Sequence, residues 1–456
     1  MEKYIISGGS VVRAQGVVRA DVAITNGKVS EIGENLPTHG AKVVDASECY
    51  VMPGGVDART RISHRFAASA GEKDSLSEPQ CQELWHTATL AAAYGGTTCI
   101  VEVPAQGQAK NPTKELLHMA KGHSAVDFSV YSLAAADGSL PKDDGSPALC
   151  PMTGEGALDD AAMLRALHAL AQAGGLARVR CANDAMLAWC ADRLRTQGNT
   201  GVQAIAQAYP VLNEEEGVWR LMALAQTAGT AVSVANVSTA SAAFMLRMSR
   251  AHGHKMFAET CPHYLTLDAS CYEEGVAEGL KYYTLPPLRA KSDQTGLWQS
   301  LRDGGLDIVS SDHYSGDYSS RWETSQGNIF TCPWGLPGVE TRVPLLFCEG
   351  VLKGRLTLPR FVEVMATRPA DMLGLPYKGR IEVGADADIM VLNPAEERSI
   401  SAGMLHQGVD YTPYEGMKVR GWAQHVWLRG HRLIENYAFT GKENGGQRVS
   451  HASAGV

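Results

Sequence analysis

Two arginines set the chemical question in this chain. Arg59 and Arg61 lie in Val56-Asp57-Ala58-Arg59-Thr60-Arg61, a short strand entered from Val51-Met52-Pro53 and the paired Gly54-Gly55. Residues two apart on a strand project to one side. Both guanidinium groups therefore face one way and Thr60 the other. A guanidinium stays protonated and binds carboxylate or phosphate by paired hydrogen bonds. That chemistry is recognition of an anion or pairing with an acid of the protein itself. Asp312 and His313 follow a strand-like stretch at 306–310, and His64 follows Arg61 closely. Asp312 is read as a general base or as a counter-ion. The second role fits better, because no proton-acceptor partner is visible beside it. His313 and His64 are the acid–base candidates, weighed against ordinary structural histidines. Cys181 and Cys261 have no activating neighbour and read as small core residues.

The elements that must position these groups alternate. Strands are expected at 97–103, 127–133, 179–183, 231–237, 255–259 and 306–310, and a helix at 161–172 ends at Gly174-Gly175. Strand–helix alternation over roughly 53–375 predicts an α/β domain with parallel strands. Its length suits a (β/α)₈ TIM-like barrel, whose active site lies at the C-terminal strand ends. Within residues 1–52, the stretch 4–50 alternates apolar and polar, with a hairpin signal at Asn26-Gly27. A second strand-rich piece follows within 376–440, from Gly379 to Leu392 and again from Ala423 to Glu435. The two predict a small β-sandwich domain formed by both termini. The polar residues 441–456 are expected as a flexible C-terminal tail or an arm to a neighbour. Glu214-Glu-Glu216 reads as the acidic opening of a helix.

Bulk properties exclude several classes. At 456 residues the chain can bury a large core, and 45% hydrophobic with 20% charged residues is ordinary for a soluble protein. The net charge of −8 argues against nucleic acid or an acidic membrane as partner. Ten cysteines without regular spacing, and no signal peptide or apolar span, read as reduced thiols of a cytoplasmic protein.

Longer words carry a resemblance. Glu259-Thr-Cys-Pro-His-Tyr-Leu265, Leu285-Pro-Pro-Leu-Arg289, Ser311-Asp-His313, Gly335-Leu-Pro-Gly-Val-Glu-Thr-Arg342 and Gly384-Ala-Asp-Ala-Asp-Ile389 occur in order. Together with Tyr414-Glu-Gly416 and Phe439-Thr-Gly441, they resemble the cyclic amidohydrolases: D-hydantoinase, dihydropyrimidinase, allantoinase and dihydroorotase. The resemblance covers nearly the whole chain. It implies the barrel and sandwich, homo-oligomers (dimer or tetramer), and a two-metal hydrolase site of four histidines, an aspartate and a carboxylated lysine.

Position by position, those ligands are replaced. Arg59 and Arg61 stand for the first two histidines, Arg180 in Val179-Arg-Cys-Ala-Asn183 for the third, and Asn236 in Ala235-Asn-Val-Ser238 for the fourth. Pro147 falls near the lysine, and Met152 near the tyrosine that stabilises the tetrahedral intermediate. Asp312 remains. Leu285 replaces a polar residue before Pro-Pro, and Trp334 an asparagine before Gly335. A dication ~6 Å from one guanidinium, at an effective dielectric near 20, is repelled by about 5 kcal/mol.

No metal or other cofactor is therefore expected. Arg59, Arg61, Arg180, Asn236, Arg289 and Trp334 are the candidates for binding a small anionic or cyclic-amide ligand. The competing reading pairs the arginines with Asp312, Asp57 and Glu102 inside the old cavity. The expected function is a non-catalytic or anion-binding relative of hydantoinase and dihydropyrimidinase, assembling alone or with an active paralogue. The alternative is a metal-independent hydrolase of a cyclic amide, imide or other small anionic substrate, with Asp312 or His313 moving protons.

Overall fold

A computed structural model describes residues 2–65, 76–105, 111–140, 147–154 and 156–452. Eight short strands form the barrel: β1 (Gly55–Thr60), β2 (Thr97–Glu102), β3 (Asp127–Val130, resumed at Ser132–Leu133), β4 (Ala148–Leu149), β5 (Leu176–Arg180), β6 (Ala231–Ala235), β7 (Met256–Thr260) and β8 (Ile308–Val309). Each runs parallel to the next. The ring closes where Asp312 N–H donates to the Arg59 carbonyl at 3.0 Å and Arg61 N–H to the His313 carbonyl at 2.7 Å.

Burial on both faces explains the composition of these strands. β2 reads Thr-Thr-Cys-Ile-Val-Glu and is buried throughout, as a parallel strand covered by helices must be. The helix Asp160–Ala173 begins where Asp159 accepts a hydrogen bond from Ala162 N–H, and it ends on left-handed Gly174. β5 starts earlier than expected and ends at Arg180, so Cys181–Asn183 lie beyond it.

The second layer is a sandwich. One sheet orders Lys28–Gly33, Asp21–Thr25, Tyr4–Ser7 and Lys42–Asp45; the other joins Tyr50–Pro53 to Ile389–Ser399 and Lys418–Leu428 from the far end of the chain. Ile6, Val22, Ile24, Val51, Ile389 and Trp427 fill the space between them. The run 379–388, expected as strand, is irregular. Its acids serve ion pairs instead: Asp386 and Asp388, together with Asp127 at the start of β3, surround the buried Lys378 ammonium at 2.5–3.0 Å.

The expected free tail is held down. Gly446 N–H donates to the Ser124 carbonyl at 2.8 Å, and Val449 N–H to the Phe128 carbonyl at 2.9 Å. Phe128 N–H answers to the Gln447 carbonyl at 3.0 Å, and Ala452 N–H reaches the Gly374 carbonyl at 2.9 Å. Main-chain groups at the start of β3 thus find partners in residues whose polarity had suggested solvent. Residues 453–456, the end of that expected tail, lie outside the described residues.

Candidate functional site

The predicted site residues come from four strand ends. Arg59 lies in β1 and Arg61 just past it, Arg180 ends β5, Asn236 follows β6 and Asp312 follows β8. These are C-terminal strand ends, the face on which barrel proteins build their sites. Asn236 and Asp312 both adopt left-handed backbone conformations, with φ of 57° and 51°. Such angles are uncommon outside glycine and cluster at sites where the surroundings hold a strained turn.

Asp312 is the hub. Its Oδ1 accepts from Arg59 Nε at 2.7 Å and from Arg61 Nε at 2.9 Å, while its Oδ2 accepts from Asn236 Nδ2 at 2.8 Å. The three charged side chains are almost wholly buried. Burial alone would raise the Asp312 pKa, but the Arg61 and Arg59 guanidiniums outweigh it and hold the carboxyl well below the usual range. Burial, then the Arg59 and Arg180 charges, lower the Arg61 pKa against the opposing pull of Asp312.

Trp334 covers the cluster. Its ring centroid lies 3.8 Å from the Arg61 guanidinium carbon and 4.7 Å from that of Arg180, both within cation–π range. Arg61 Nη2 also reaches the Trp334 carbonyl at 3.4 Å. Gly335, at φ +125°, leaves room for that nitrogen, since a Cβ there would collide with Arg61 Nη2. Arg180 and Trp334 are half-buried. Arg180 Nε has no hydrogen-bond partner among the described residues.

Other candidates are placed elsewhere. His313 is turned into structure: its Nδ1 accepts from Gly338 N–H at 3.0 Å, so its Nε2 donates to Ser315 Oγ at 2.8 Å. Burial and the Arg61 charge push its pKa down to about 3. With both nitrogens engaged it is a neutral tether, not the expected proton carrier. His64 is also kept neutral, by burial and by the neighbouring arginines.

Arg289 is not in the cluster either. It donates to Ser238 Oγ at 3.0 Å and to the Tyr209 carbonyl at 2.7 Å, and it pairs with Glu214 at 3.5 Å. Asp57 and Glu102, expected as arginine partners at the mouth, are used otherwise. Asp57 accepts from Ser311 N–H and faces Arg342 at 3.7 Å, while Glu102 accepts from Ser63 and Thr60. Pro147 contributes its carbonyl to Ser132 N–H at 2.8 Å, and Met152 is buried in the core.

Three further residues belong to the neighbourhood. Arg178 shares its side of β5 with Arg180 and pairs with Glu259; the two-residue spacing that singled out Arg59 and Arg61 could have found it. Glu214 lies in the first turn of the helix Val211–Ala228, as the acidic helix opening predicts, and it is buried there, accepting from Ser238 and Thr239 N–H. His263 stands beside Asp312 and Arg61, and burial lowers its pKa to about 4.

Comparison with known proteins places this architecture. The amidohydrolase family model matches residues 50–433. The chain belongs to the amidohydrolase family. It is 35% identical to a D-hydantoinase of Geobacillus stearothermophilus over 99% of this chain and 97% of that one. A D-phenylhydantoinase of Escherichia coli O139:H28 (strain E24377A / ETEC) is 34% identical over 98% and 97%. A crystal structure of D-hydantoinase superposes with a TM-score of 0.93 at 33% identity over both whole chains. The dihydropyrimidinase from Brevibacillus agri NCHU1002 gives 0.93 at 32%, covering 99% of each chain. The barrel and β-rich domain are thus those of hydantoinase-like amidohydrolases.

The donor set at the mouth does not fit the metal pair that the resemblance implies. A metal is held by neutral imidazoles or anionic oxygens. Here guanidinium and amide N–H groups converge on Asp312, and both carboxylate oxygens already accept from them. Among the described residues, no three His, Cys, Asp or Glu side chains stand together as a metal cage.

Proposed function

We propose that this chain is a hydantoinase- and dihydropyrimidinase-like protein that has lost the binuclear metal site and serves as a non-catalytic, anion-binding member of the family. The observation that carries this reading is the sharing of Asp312 between Arg59, Arg61 and Asn236. A metal would have to displace two buried cations from their counter-ion. The metal-independent hydrolase is disfavoured, because Asp312 is too acidic to serve as a base near neutrality and His313 is fully engaged. The deciding experiment combines elemental analysis of the purified protein with assays on hydantoin, dihydrouracil and allantoin. Absence of stoichiometric metal and of turnover is expected. Near-stoichiometric zinc or manganese, with turnover abolished by a chelator, refutes the reading.

We also propose that the chain forms homo-oligomers. Trp219, Phe244 and Met248 are 59%, 54% and 40% exposed on the adjoining helices Val211–Ala228 and Ala240–Ala251. With Met222 and Met245 they line one groove of about 320 Å³. Contiguous exposed apolar surface of this kind is characteristic of association faces. Analytical ultracentrifugation tests it, and a monomer at micromolar concentration refutes it.

A further inference from the structure

We infer that the arginine cluster at the barrel mouth binds a compact, doubly charged oxyanion of the phosphate class, received by the guanidinium N–H groups that Asp312 does not use. The inference rests on the anion-binding reading above and specifies its ligand.

The first argument is charge. Arg59, Arg61 and Arg180 meet at the mouth with one carboxylate, Asp312. Nearby acids are already matched: Glu214 with Arg289, Glu259 with Arg178, and Asp57 with Arg342. Glu102 sits among Thr60 and Ser63 hydroxyl and N–H groups. With Glu102 set aside, since burial raises its pKa and neutral donors satisfy it, the three guanidiniums exceed the Asp312 carboxylate by two positive charges. Arg59 and Arg61 cannot separate, since both hold the same carboxylate oxygen, and buried like charges this close need a counter-ion. A single carboxylate ligand neutralises half of the excess; a dianion neutralises it all.

The second argument is unfilled hydrogen-bonding capacity, which is independent of charge. Arg180 Nε, Asn236 Oδ1 and His263 Nε2 are buried polar atoms without partners among the described residues. Asn236 donates to Asp312 through its amide nitrogen, and His263 is 2% exposed beside Asp312 and Arg61. Buried polar atoms are nearly always paired, so several orphans around one charge cluster mark a place built for a polar guest. Arg180 Nε offers a donor and Asn236 Oδ1 an acceptor. Hydrogen phosphate presents both acceptor oxygens and an O–H.

The third argument is geometry. Arg59 and Arg61 grip Asp312 through Nε, and among the described residues the terminal nitrogens of the two make one hydrogen bond, from Arg61 Nη2 to the Trp334 carbonyl at 3.4 Å. Guanidinium forks of this kind match phosphate oxygens in pairs. Half-buried Arg180 and Trp334 form the outer edge of the cluster and the buried arginines its floor. An arriving anion meets Arg180 first.

Isothermal titration calorimetry on the full chain at constant ionic strength tests this, with inorganic phosphate, phenyl phosphate and acetate as probes. Phosphate is expected to bind once per chain, and acetate at least about tenfold more weakly. Arg180→Gln, a half-exposed change that leaves the Asp312 pairs intact, is expected to weaken phosphate by about tenfold or more. Phenyl phosphate binding as well as phosphate identifies the ligand as a phosphate monoester; much weaker binding identifies the free ion. As a second readout, phosphate is expected to change tryptophan fluorescence in the wild type and not in Trp334→Phe. No phosphate binding, equal affinity for acetate, unchanged affinity in Arg180→Gln, or an unchanged fluorescence response in Trp334→Phe each overturns the inference. A protein that holds stoichiometric metal and hydrolyses hydantoin fails the functional reading, whatever it does with phosphate. A metal-free, inert protein that ignores phosphate fails only the ligand assignment.

Discussion

Replacing Asp312 by asparagine removes one negative charge with almost no change of shape, so its effect reads the electrostatics of the cluster directly. Each guanidinium lies close to the carboxylate, with Nε–O distances of 2.7 and 2.9 Å. At a charge separation of about 4 Å and an effective dielectric of 20, one such pair contributes about 4 kcal/mol of Coulomb energy. In Asp312→Asn both attractions vanish while Arg59 and Arg61 stay buried and desolvated. Breaking a buried pair from one side costs about 3–5 kcal/mol, and two cations sharing one anion place this variant at the upper end. Urea unfolding at pH 7, followed by far-UV circular dichroism, is expected to show a lower midpoint at unchanged slope. The triple variant Arg59→Met, Arg61→Met, Asp312→Leu should recover at least half of the loss, because it removes the stranded charges as well. A loss below about 1 kcal/mol in Asp312→Asn, or a triple variant less stable than the single one, refutes the argument. The pH dependence follows from the same pairing. The folded-state pKa of Asp312 is depressed, so its stabilisation is complete above the unfolded value near 4 and is lost as pH falls below it.

Three further outcomes are expected. His263 is neutral when folded, with its pKa pushed down to about 4. The unfolded chain therefore takes up the proton first, and up to about 3 kcal/mol of stability is lost as pH falls from 6.5 to 4; unfolding curves of His263→Gln across that window should be flatter than wild type. Lys378→Met takes from Asp127, Asp386 and Asp388 the ammonium they share, leaving Lys28 beside Asp386 and Arg429 beside Asp127. It should cost about 3–5 kcal/mol and expose residues 446–452 to limited proteolysis, since Asp127 also anchors Gln447 N–H. Gly335→Ala forces a side chain into a backbone region reserved for glycine and against Arg61 Nη2. A loss of about 2 kcal/mol, together with weaker phosphate binding in calorimetry, is expected.

The barrel was legible because its strands are short apolar runs spaced by helices, and because long ordered words carried the family likeness. Arg59, Arg61, Arg180, Asn236 and Asp312 could be brought together on paper for the same reason: a barrel strand end is a defined place. What escaped was the fate of polar side chains whose partners lie far away in sequence. Glu214 opens a helix as its acidic run predicts, but nothing in that run shows that it faces Ser238 and Arg289. His313 adjoins Asp312, but its ring is claimed by Gly338 and Ser315. The terminal stretch 441–452 reads as a tail by composition alone. Its anchors are main-chain hydrogen bonds together with contacts of Asp127 and His451, whose partners lie far away in sequence.

The same geometry shows what Asp312 does for the cluster. Among the described residues, Asp312 is the one carboxylate that accepts from both Arg59 and Arg61, and its loss would strand two buried cations. On the proposed loss of the metal site, the arginines supply covalently the positive charge beside this aspartate that a bound metal would supply. A metal centre ties folding to metal supply and to deprotonated ligands. A guanidinium cluster does neither, because its charge is permanent. Arg180 stands at the outer edge of the cluster, and on the reading proposed above recognition of an oxyanion is the role left to it.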